Sequence, residues 1–257
     1  WLKCLGCAAE HYGPAKGVPT TLANWVWGRV ERQAVDMFLP VSQAMAEVNQ
    51  LANYGAPYRV IPNFVPNNLG ESSSDADPLL AQLPGDTYLL FVGDLARDKG
   101  VEVLLRAYAE MGSQIPLVLI GRPMAGFPAN VPANVLVLQS WPHDAVMSAW
   151  RRCNIGLLPS LCLESFGIVV LEAMVMGRPF IASRIGGLPD IVVDGETGLL
   201  VAPGDWRALR EAIQRLLDNP ALRKHMGDMA KQRGVEFQAR TVVPRIEQVY
   251  QEVLQCK

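Results

Sequence analysis

The sequence has 257 residues, of which 50% are hydrophobic and 19% charged, and its formal net charge is −2. This length fits one large domain or two modest ones, and a nearly neutral chain offers no overall electrostatic attraction to nucleic acid. The longest apolar runs, "TYLLFVG" and "IPLVLIG", are far too short to cross a bilayer. Apolar runs of this length are typical of strands in a parallel sheet, which are buried on both faces.

The first residues, "WLKCLGC", contain no basic-then-apolar leader, and a start at Trp1 leads us to expect that the sequence opens within a longer protein. The odd, scattered set of five cysteines favours reduced thiols in the cytosol. Cys4 and Cys7 form a CxxC, but no second pair with metal-ligand spacing follows, so we interpret them as ordinary cysteines. His143 and His225 are isolated, and we predict surface or helix-end positions for them.

The first 78 residues predict a short αβ segment followed by a linker. Residues 21–36 have apolar positions at helical spacing, and "MFLPVS" predicts a short strand. Ser42 is a candidate N-cap for the helix that follows. Residues 58–65, "YRVIPNFV", predict a second strand. Residues 66–78 are polar and bounded by prolines, which is typical of a linker or a surface loop.

After the linker, strand patterns alternate with helical patterns of ten to fifteen residues. The predicted strands are "TYLLFVG", "PLVLIG", "NVLVLQS", "NIGLLPS", "PFIAS" and "GLLVAPG". The predicted helices are "GVEVLLRAYAEM", "HDAVMSAWRRC", "GIVVLEAMVMG", the short turn "LPDIVVDG", and "WRALREAIQRLLDN" with Asp205 as its N-cap. This alternation predicts an α/β fold with a doubly wound parallel sheet. Such sheets bind ligands at the carboxyl ends of their strands, so we expect the chemistry just after each strand.

Three strand-end loops carry residues that suit a ligand. In "FVGDLARDKG", Gly93 permits a close turn, and Lys99 stands just before a helix, where a lysine and helix amides together suit an anion. Taken alone, this stretch is weak evidence, and we would interpret it as a strand, a turn and a surface lysine. Arg122 and Trp141 follow two further strands; Trp141 is expected either to line a base or sugar pocket or to pack in the core.

The fourth loop, "ESFGIVVLEAM", places two carboxylates around a helix start. Glu164 lies before the helix and Glu172 lies within it. The first-turn amides would be unpaired donors, and Gly167 would let a phosphate approach the backbone. Those amides belong to Phe166, Gly167, Ile168 and Val169. The alternative is a helix-dipole role for Glu164 and a solvated position for Glu172. The apolar flanks "IVVL" and "AMVMG" instead predict a buried helix, in which Glu172 needs a partner.

The stretch "PSLCLESFGIVVLEAMVMGRPFIASRIGGLPDIVVDGETGLLVAPGD" resembles the donor-binding domain of retaining glycosyltransferases of the group 1 type, glycosyltransferase family 4. These enzymes have the two-domain GT-B fold. The resemblance runs from about Tyr88 to the C-terminus. Glu164 and Glu172 match the Glu-x7-Glu signature of the family, "FVGDLARDKG" matches its phosphate loop, and "RVIPNFV" resembles its interdomain segment.

The resemblance implies an enzyme that moves a sugar from a nucleotide-diphosphate-sugar donor to an acceptor hydroxyl, with retention of configuration. It implies catalytic roles for Lys99 at the diphosphate and Glu164 at the donor sugar, and ribose binding by Glu172. The implied donor-binding residues are Gly93, Asp94, Arg97, Lys99, Glu164, Ser165, Phe166, Gly167, Ile168, Val169 and Glu172. No metal and no cofactor beyond the donor substrate are expected, nor is a nucleic-acid partner. The acceptor, whether a glycan, a lipid or a small molecule, stays open. The expected location is cytoplasmic, with peripheral membrane contact through the missing domain as an alternative.

Two departures from the family pattern bear on this interpretation. Asp94 stands where the family usually has an arginine, and we hypothesise that it turns away or pairs with Lys99 while Arg97 partly substitutes. The second departure is size. Residues 1–65 resemble only a remnant of an acceptor-binding domain, residues 66–240 the donor-binding domain, and residues 241–257 a C-terminal helix that packs back toward the first domain. We therefore expect a donor-binding half that binds nucleotide-sugar but turns over poorly or not at all alone.

Two alternatives to a glycosyltransferase half stay open. One is a non-catalytic nucleotide-sugar-binding subunit that works with a separate acceptor-domain partner. The other is a different GT-B-type enzyme, such as a nucleotide-sugar epimerase or a phosphorylase, against which the Glu-x7-Glu stretch argues. An acceptor domain encoded directly upstream would exclude the separate-subunit alternative.

Overall fold

The computed structural model describes residues 13–53, 55–71, 78–85 and 87–255, so the Cys4–Cys7 pair lies outside the described residues. The strands are β1 (Leu89–Val92), β2 (Leu117–Ile120), β3 (Val135–Leu138), β4 (Ile155–Leu158), β5 (Phe180–Ser183) and β6 (Gly198–Val201). The helices are α1 (Pro14–Ala34), α2 (Gln43–Val48), α3 (Val101–Met111), α4 (His143–Arg152), α5 (Ile168–Val175), α6 (Leu188–Ile191), α7 (Trp206–Asp218), α8 (Pro220–Gly234) and α9 (Ala239–Gln255).

The six strands form one parallel sheet in the order β3-β2-β1-β4-β5-β6. This arrangement confirms the predicted α/β fold with a doubly wound parallel sheet. The strand order reverses between β1 and β4, which leaves a crevice between the loops that follow these two strands. Ligands of doubly wound sheets bind at such a switch point.

The core lies on both faces of this sheet, and large aromatic side chains pack closely around β4. Trp150 of α4 is fully buried, and its ring centroid lies 5.9 Å from that of Phe180. A Cβ on Gly156 would come within 2.4 Å of the Phe180 ring, so this strand position admits only glycine without repacking. The fully buried Tyr88 donates from its hydroxyl to the carbonyl of Ala149 at 2.7 Å. These contacts fix α4 against the sheet.

Helix α8 was not predicted from the sequence. Its buried residues are Met226, Gly227, Ala230 and Gly234, which are mostly too small to form an apolar stripe. A Cβ on Gly227 would lie 2.3 Å from the carbonyl oxygen of Gly177, so the helix packs closely against the end of α5. Asn219 caps this helix by accepting from the Leu222 amide at 2.9 Å.

The two strands predicted before the linker are wrong. Only isolated bridges occur there, Phe38 to Tyr58 and Val65 to Gln238. Pro40 interrupts the first segment, and a proline cannot donate to a strand ladder. The remaining predictions for this region fare better. The predicted helix is present as α1, although it begins seven residues earlier, and Ser42 caps α2 by accepting from the Met45 amide at 3.3 Å.

Helix α9 lies against the segment that precedes the linker. Val242 and Val249 are buried with Ile61 in a small second apolar cluster. Arg59 donates two hydrogen bonds to the carboxylate of Glu252, at 2.7 and 3.3 Å. Residues 59–61 therefore contact the last helix, while the domain boundaries at 65/66 and 240/241 stay predictions.

Candidate functional site

Lys99 and Glu164 meet at the switch point of the sheet. Lys99 lies in the loop after β1 and Glu164 in the loop after β4, and the lysine Nζ is 2.7 Å from Oε1 of the glutamate. Ser160 donates from its hydroxyl to the same oxygen at 2.6 Å. The fold thus brings together two predicted catalytic residues that stand 65 positions apart.

The charge of Lys99 is stabilised by this contact. Partial burial by itself lowers the pKa of Lys99, but the hydrogen bond and the charge of Glu164 outweigh it, and the pKa is raised. The lysine is therefore protonated at neutral pH. Its side chain remains 30% exposed, so an anionic ligand can reach the ammonium from the crevice.

Backbone contacts hold the Lys99 loop against the loop of Glu164. Leu161 donates from its amide to the carbonyl of Asp98 at 2.7 Å. Gly100 has a φ of +74°, and a Cβ there would lie 1.8 Å from the carbonyl oxygen of Pro159. No other residue fits this contact without moving one of the loops. The geometry of the ion pair therefore depends on the glycine of "RDKG".

Two adjacent glycines in the loop after β5 contact the backbone of Glu164. Gly187 donates from its amide to the carbonyl of Glu164 at 2.8 Å. Gly186 lies so close that a Cβ would come within 2.1 Å of that same carbonyl oxygen. The loop "RIGG" after β5 thus fixes the backbone of the glutamate, which explains the glycines in this strand-end loop.

The start of α5 provides free backbone donors beside the ion pair. Gly167, at a φ of +112°, precedes the first helical residue. None of the amides of residues 166–169 donates a hydrogen bond to another described residue. Phe166 is 1% exposed and its ring packs against Phe237, so its contribution to a ligand is limited to its amide. These amides and Lys99 form a positive environment that suits a phosphate.

Glu172 is buried and has two side-chain partners. It is 7% exposed, its Oε1 lies 2.9 Å from Nε2 of His143, and its Oε2 accepts from Nε1 of Trp150 at 3.2 Å. The solvated alternative for Glu172 is therefore wrong. Sequence reasoning missed both partners, because His143 was interpreted as an isolated surface or helix-end residue and Trp150 was not singled out. Their spacing of seven along α4 was the signal available, since it places both on one face of the helix.

The contacts of Asp94 distinguish between the two alternatives of the hypothesis. Asp94 contacts Arg122 at 3.7 Å, whereas Lys99 pairs with Glu164, so Asp94 does not pair with Lys99. Arg97 is 81% exposed and contacts Glu102 at 3.8 Å. The structure therefore agrees with an Asp94 that turns away from the lysine.

The segment before the linker also touches this site. Ser42 donates from its hydroxyl to the carbonyl of Ser165 at 2.7 Å. The backbone amide of Gln43 donates to Oδ2 of Asp190 at 2.9 Å. The loop between Glu164 and α5 is thus held from the N-terminal side of the chain, a contact that the sequence did not predict.

Comparison with known proteins places this site in a family. The sequence profile described as glycosyl transferases group 1 matches residues 80–233, more than half of the chain. The chain belongs to this family. The matched range of this glycosyltransferase chain contains Lys99, Glu164 and Glu172.

Curated relatives of this glycosyltransferase chain are longer than the chain itself. D-inositol 3-phosphate glycosyltransferase of Corynebacterium diphtheriae is 35% identical over 179 residues, which are 63% of this chain and 42% of the relative. The enzyme of the same name from Acidothermus cellulolyticus is 33% identical over 241 residues, 83% of this chain and 53% of the relative. The chain therefore spans about half the length of these relatives.

Solved structures share the fold of this glycosyltransferase chain. Sucrose-phosphate synthase from Thermosynechococcus elongatus superposes with a TM-score of 0.73 at 27% identity, covering 89% of this chain and 62% of that one. Anabaena HepE in complex with UDP gives a TM-score of 0.73 at 21% identity, covering 85% and 64%. The fold is thus that of the Rossmann-like half of a GT-B glycosyltransferase.

No helix among the described residues combines the length and the apolar character that crossing a membrane requires. No group of three or more His, Cys, Asp or Glu side chains in the same residues could hold a metal ion.

Proposed function

We propose that this chain is the nucleotide-sugar-binding half of a retaining glycosyltransferase of family 4, which moves a sugar from a nucleotide-diphosphate donor to an acceptor hydroxyl. The observation that carries the proposal is the Lys99–Glu164 ion pair at the switch point, beside the unpaired amides of residues 166–169. A cation and free amides suit a diphosphate, and a carboxylate beside them suits sugar hydroxyls.

The role proposed for each site residue follows the family resemblance. Lys99 stabilises the negative charge that develops on the leaving diphosphate, an electrostatic contribution to the transition state. Glu164 contacts the donor sugar near the reacting carbon. The retaining outcome rests on the likeness of the Glu-x7-Glu stretch to family 4. Gly93 and the loop from Asp94 to Lys99 line the phosphate side of the crevice.

Glu172 binds the ribose hydroxyls in this proposal. An ionised carboxylate offers about four lone-pair positions. His143 and Trp150 occupy one position on each oxygen, so further positions remain for a diol. The two partners hold the carboxylate in one orientation before the donor arrives, which lowers the entropy lost on binding.

The acceptor half of the reaction belongs to the remainder of a longer enzyme in this proposal. The curated relatives are about twice as long as the aligned part, and their names make an inositol phosphate the first acceptor to test. The same length difference supports a second candidate, a non-catalytic nucleotide-sugar-binding subunit with a separate acceptor-domain partner. A cytoplasmic location, with peripheral membrane contact through the other half, goes with either candidate.

Calorimetric titration of the chain with UDP-, GDP- and ADP-sugars tests the donor site, beginning with UDP-glucose because HepE has been solved with that ligand. Lys99→Met and Glu172→Ala should each weaken binding of the best donor by at least ten-fold. The exposed Lys16→Met and Glu211→Ala serve as matched controls and should bind like the parent. Equal affinity of all five proteins would contradict the assignment.

A turnover assay separates the two candidates. The chain joined to its upstream coding sequence is incubated with the best donor and an inositol phosphate acceptor, and the anomeric configuration of the product is read by NMR. A product with the donor's configuration supports the retaining enzyme. Donor binding without transfer, in a protein whose upstream sequence encodes no acceptor domain, supports the subunit.

A further inference from the structure

A cavity of about 370 Å³ lies at the amino ends of β4 and β5, away from the ion pair. Asn154 and Pro179, which directly precede these strands, line it, whereas Glu164 follows the carboxyl end of β4. At ~3.3 Å per residue, a four-residue strand separates the two places by roughly 13 Å. The cavity is therefore distinct from the proposed donor site.

The lining of this cavity is strongly basic. It contains four cations and one acid, namely Arg178, Arg223, Lys224, Lys231 and Asp228. Lys224 pairs with Asp228 at 2.6 Å, so this acid is already neutralised. The other three cations have no ion-pair partner among the described residues. The lining therefore has a local excess of three positive charges, although the net charge of the chain is −2.

Helix capping accounts for only part of this charge. Arg223 donates from Nη1 to two carbonyls in the last turn of α7, and Arg178 donates from Nη2 to the last turn of α4. Cations favour these positions because the carbonyl end of a helix is negative. Each contact uses one nitrogen of a guanidinium that has three. Nε of Arg178 is buried with no acceptor among the described residues, and Lys231 donates no hydrogen bond to any of them.

We propose that this cavity binds the phosphate group of a small phosphorylated molecule, with Arg178, Arg223 and Lys231 as its cationic ligands. Guanidinium groups match phosphate oxygens in geometry, and the lysine adds a point charge. The amino end of α8, which begins at Pro220 in the lining, adds the positive end of a helix dipole on the same side. The volume exceeds that of a phosphate ion and leaves room for a small organic group.

The site also touches the helix that carries Glu172. Helix α5 begins beside Gly167 in the donor crevice, and Met176 and Gly177, which directly follow its last residue, line the basic cavity. A phosphate at this place therefore contacts the opposite end of the same helix. It does not contact the residues assigned to the donor.

The test is a titration with inorganic phosphate and glycerol 3-phosphate, followed by thermal unfolding at constant ionic strength. It is carried out in a Lys99→Met background, which removes the cation of the proposed donor site and makes the result independent of nucleotide binding. Millimolar ligand should raise the unfolding temperature by several degrees, and Lys231→Gln should weaken the apparent affinity at least five-fold. Lys231→Arg, which keeps the charge, should restore most of the affinity, and Lys16→Gln is the matched control.

The source of the phosphate is distinguished by a second arm. Co-sedimentation with phosphatidylcholine vesicles that contain phosphatidic acid, lost in Lys231→Gln but kept in Lys16→Gln, would assign the phosphate to a lipid headgroup. A response to glycerol 3-phosphate without sedimentation would assign it to a soluble molecule. An identical response of Lys231→Gln and the parent, or no response to any of the three probes, would overturn the proposal.

Discussion

Gly186 lies so close to Glu164 that a Cβ on the glycine would be 2.1 Å from the carbonyl oxygen of the glutamate. Its φ of +58° is in the left-handed region. Gly195 has a φ of +82° with no atom within 4 Å of its Cβ position, and so provides a matched control. Alanine at either position should cost about 1–2 kcal/mol from the backbone conformation.

Gly186→Ala should cost a further ~1–3 kcal/mol, because the new methyl group must displace the Glu164 backbone. The same displacement moves the carboxylate, so the affinity for a nucleotide sugar should fall in Gly186→Ala and stay unchanged in Gly195→Ala. Urea unfolding and calorimetric titration measure the two effects. Equal losses of stability in the two variants would show that the contact carries no weight.

Trp150 orients the buried carboxylate of Glu172, so Trp150→Phe should affect stability and binding together. Removal of the indole N–H leaves Oε2 without this partner, which costs about 1–3 kcal/mol. Trp206→Phe is the control, since the Trp206 indole N–H makes no hydrogen bond to a described residue. Unfolding in urea and the affinity for the nucleoside diphosphate provide the readouts. If Trp150→Phe binds nucleotide like the parent, the indole is only a packing residue.

The sequence predicted the parts of this structure that depend on local pattern. Buried strands of four apolar residues and amphipathic helices such as α7 have clear periods, and Asp205 caps α7 as predicted. Helix α8 was not predicted because its contact with Gly177 is made through Gly227, which adds no apolar side chain to a helical stripe. The two strands expected before the linker failed because a strand pattern forms a sheet only where partner strands are available.

The candidate site also has a part that the sequence predicted and a part that it did not. The Glu-x7-Glu spacing and the lysine could be found by resemblance, and the fold brings Lys99 to Glu164 through the pairing of β1 with β4. The partners of Glu172 could not be found, because a contact between α4 and α5 depends on tertiary packing. Ser42 was recognised as a helix cap, whereas its hydrogen bond to Ser165 links positions 123 apart in the sequence.

Asp94→Arg should strengthen donor binding. In the parent, Asp94 contacts Arg122 at the edge of the proposed phosphate loop, where its charge opposes that of a diphosphate. Reversing the charge should improve the affinity several-fold at low salt, with a smaller gain for Asp94→Asn and for either variant at high salt. Calorimetry at two salt concentrations measures this, and an unchanged affinity would count against a repulsive Asp94.

The two described cysteines should differ in reactivity. Burial raises the pKa of Cys153 to about 12, so this thiol should resist alkylation at pH 8 in the folded protein. Burial also raises the pKa of Cys162, but the nearby ammonium of Lys99 acts in the opposite direction. This thiol is only half-buried. Iodoacetamide should therefore label Cys162, increasingly toward alkaline pH.

A bound nucleotide sugar should slow the labelling of Cys162, because the thiol lies beside Lys99 and Glu164. Peptide mapping by mass spectrometry resolves each cysteine, including those outside the described residues. Lys99→Met, by removing the opposing charge, should also slow the reaction without ligand. Labelling of Cys162 that is insensitive to both changes would place the thiol outside the ligand's reach.

Acid should release the contact between the segment that precedes the linker and helix α9. The hydrogen bond from Arg59 lowers the pKa of Glu252. The same hydrogen bond raises the pKa of the Arg59 guanidinium. A lowered carboxylate pKa stabilises the folded state above the pKa of the unfolded chain, and this contribution disappears as the pH falls through the folded value. The raised pKa of Arg59 acts only at strongly alkaline pH, so the acidic window belongs to Glu252.

The free energy of unfolding of the parent and of Arg59→Gln should therefore differ at pH 7 and converge as the pH falls below the ordinary carboxylate range, about 4. Both side chains are about 40% exposed, so the difference should be small and should shrink with added salt. Urea unfolding between pH 2 and pH 7 measures this difference. The control is Arg245→Gln on α9, because Arg245 lacks a carboxylate partner among the described residues. A difference that persists unchanged at pH 2 would mean that Arg59 stabilises the contact by packing rather than by its charge.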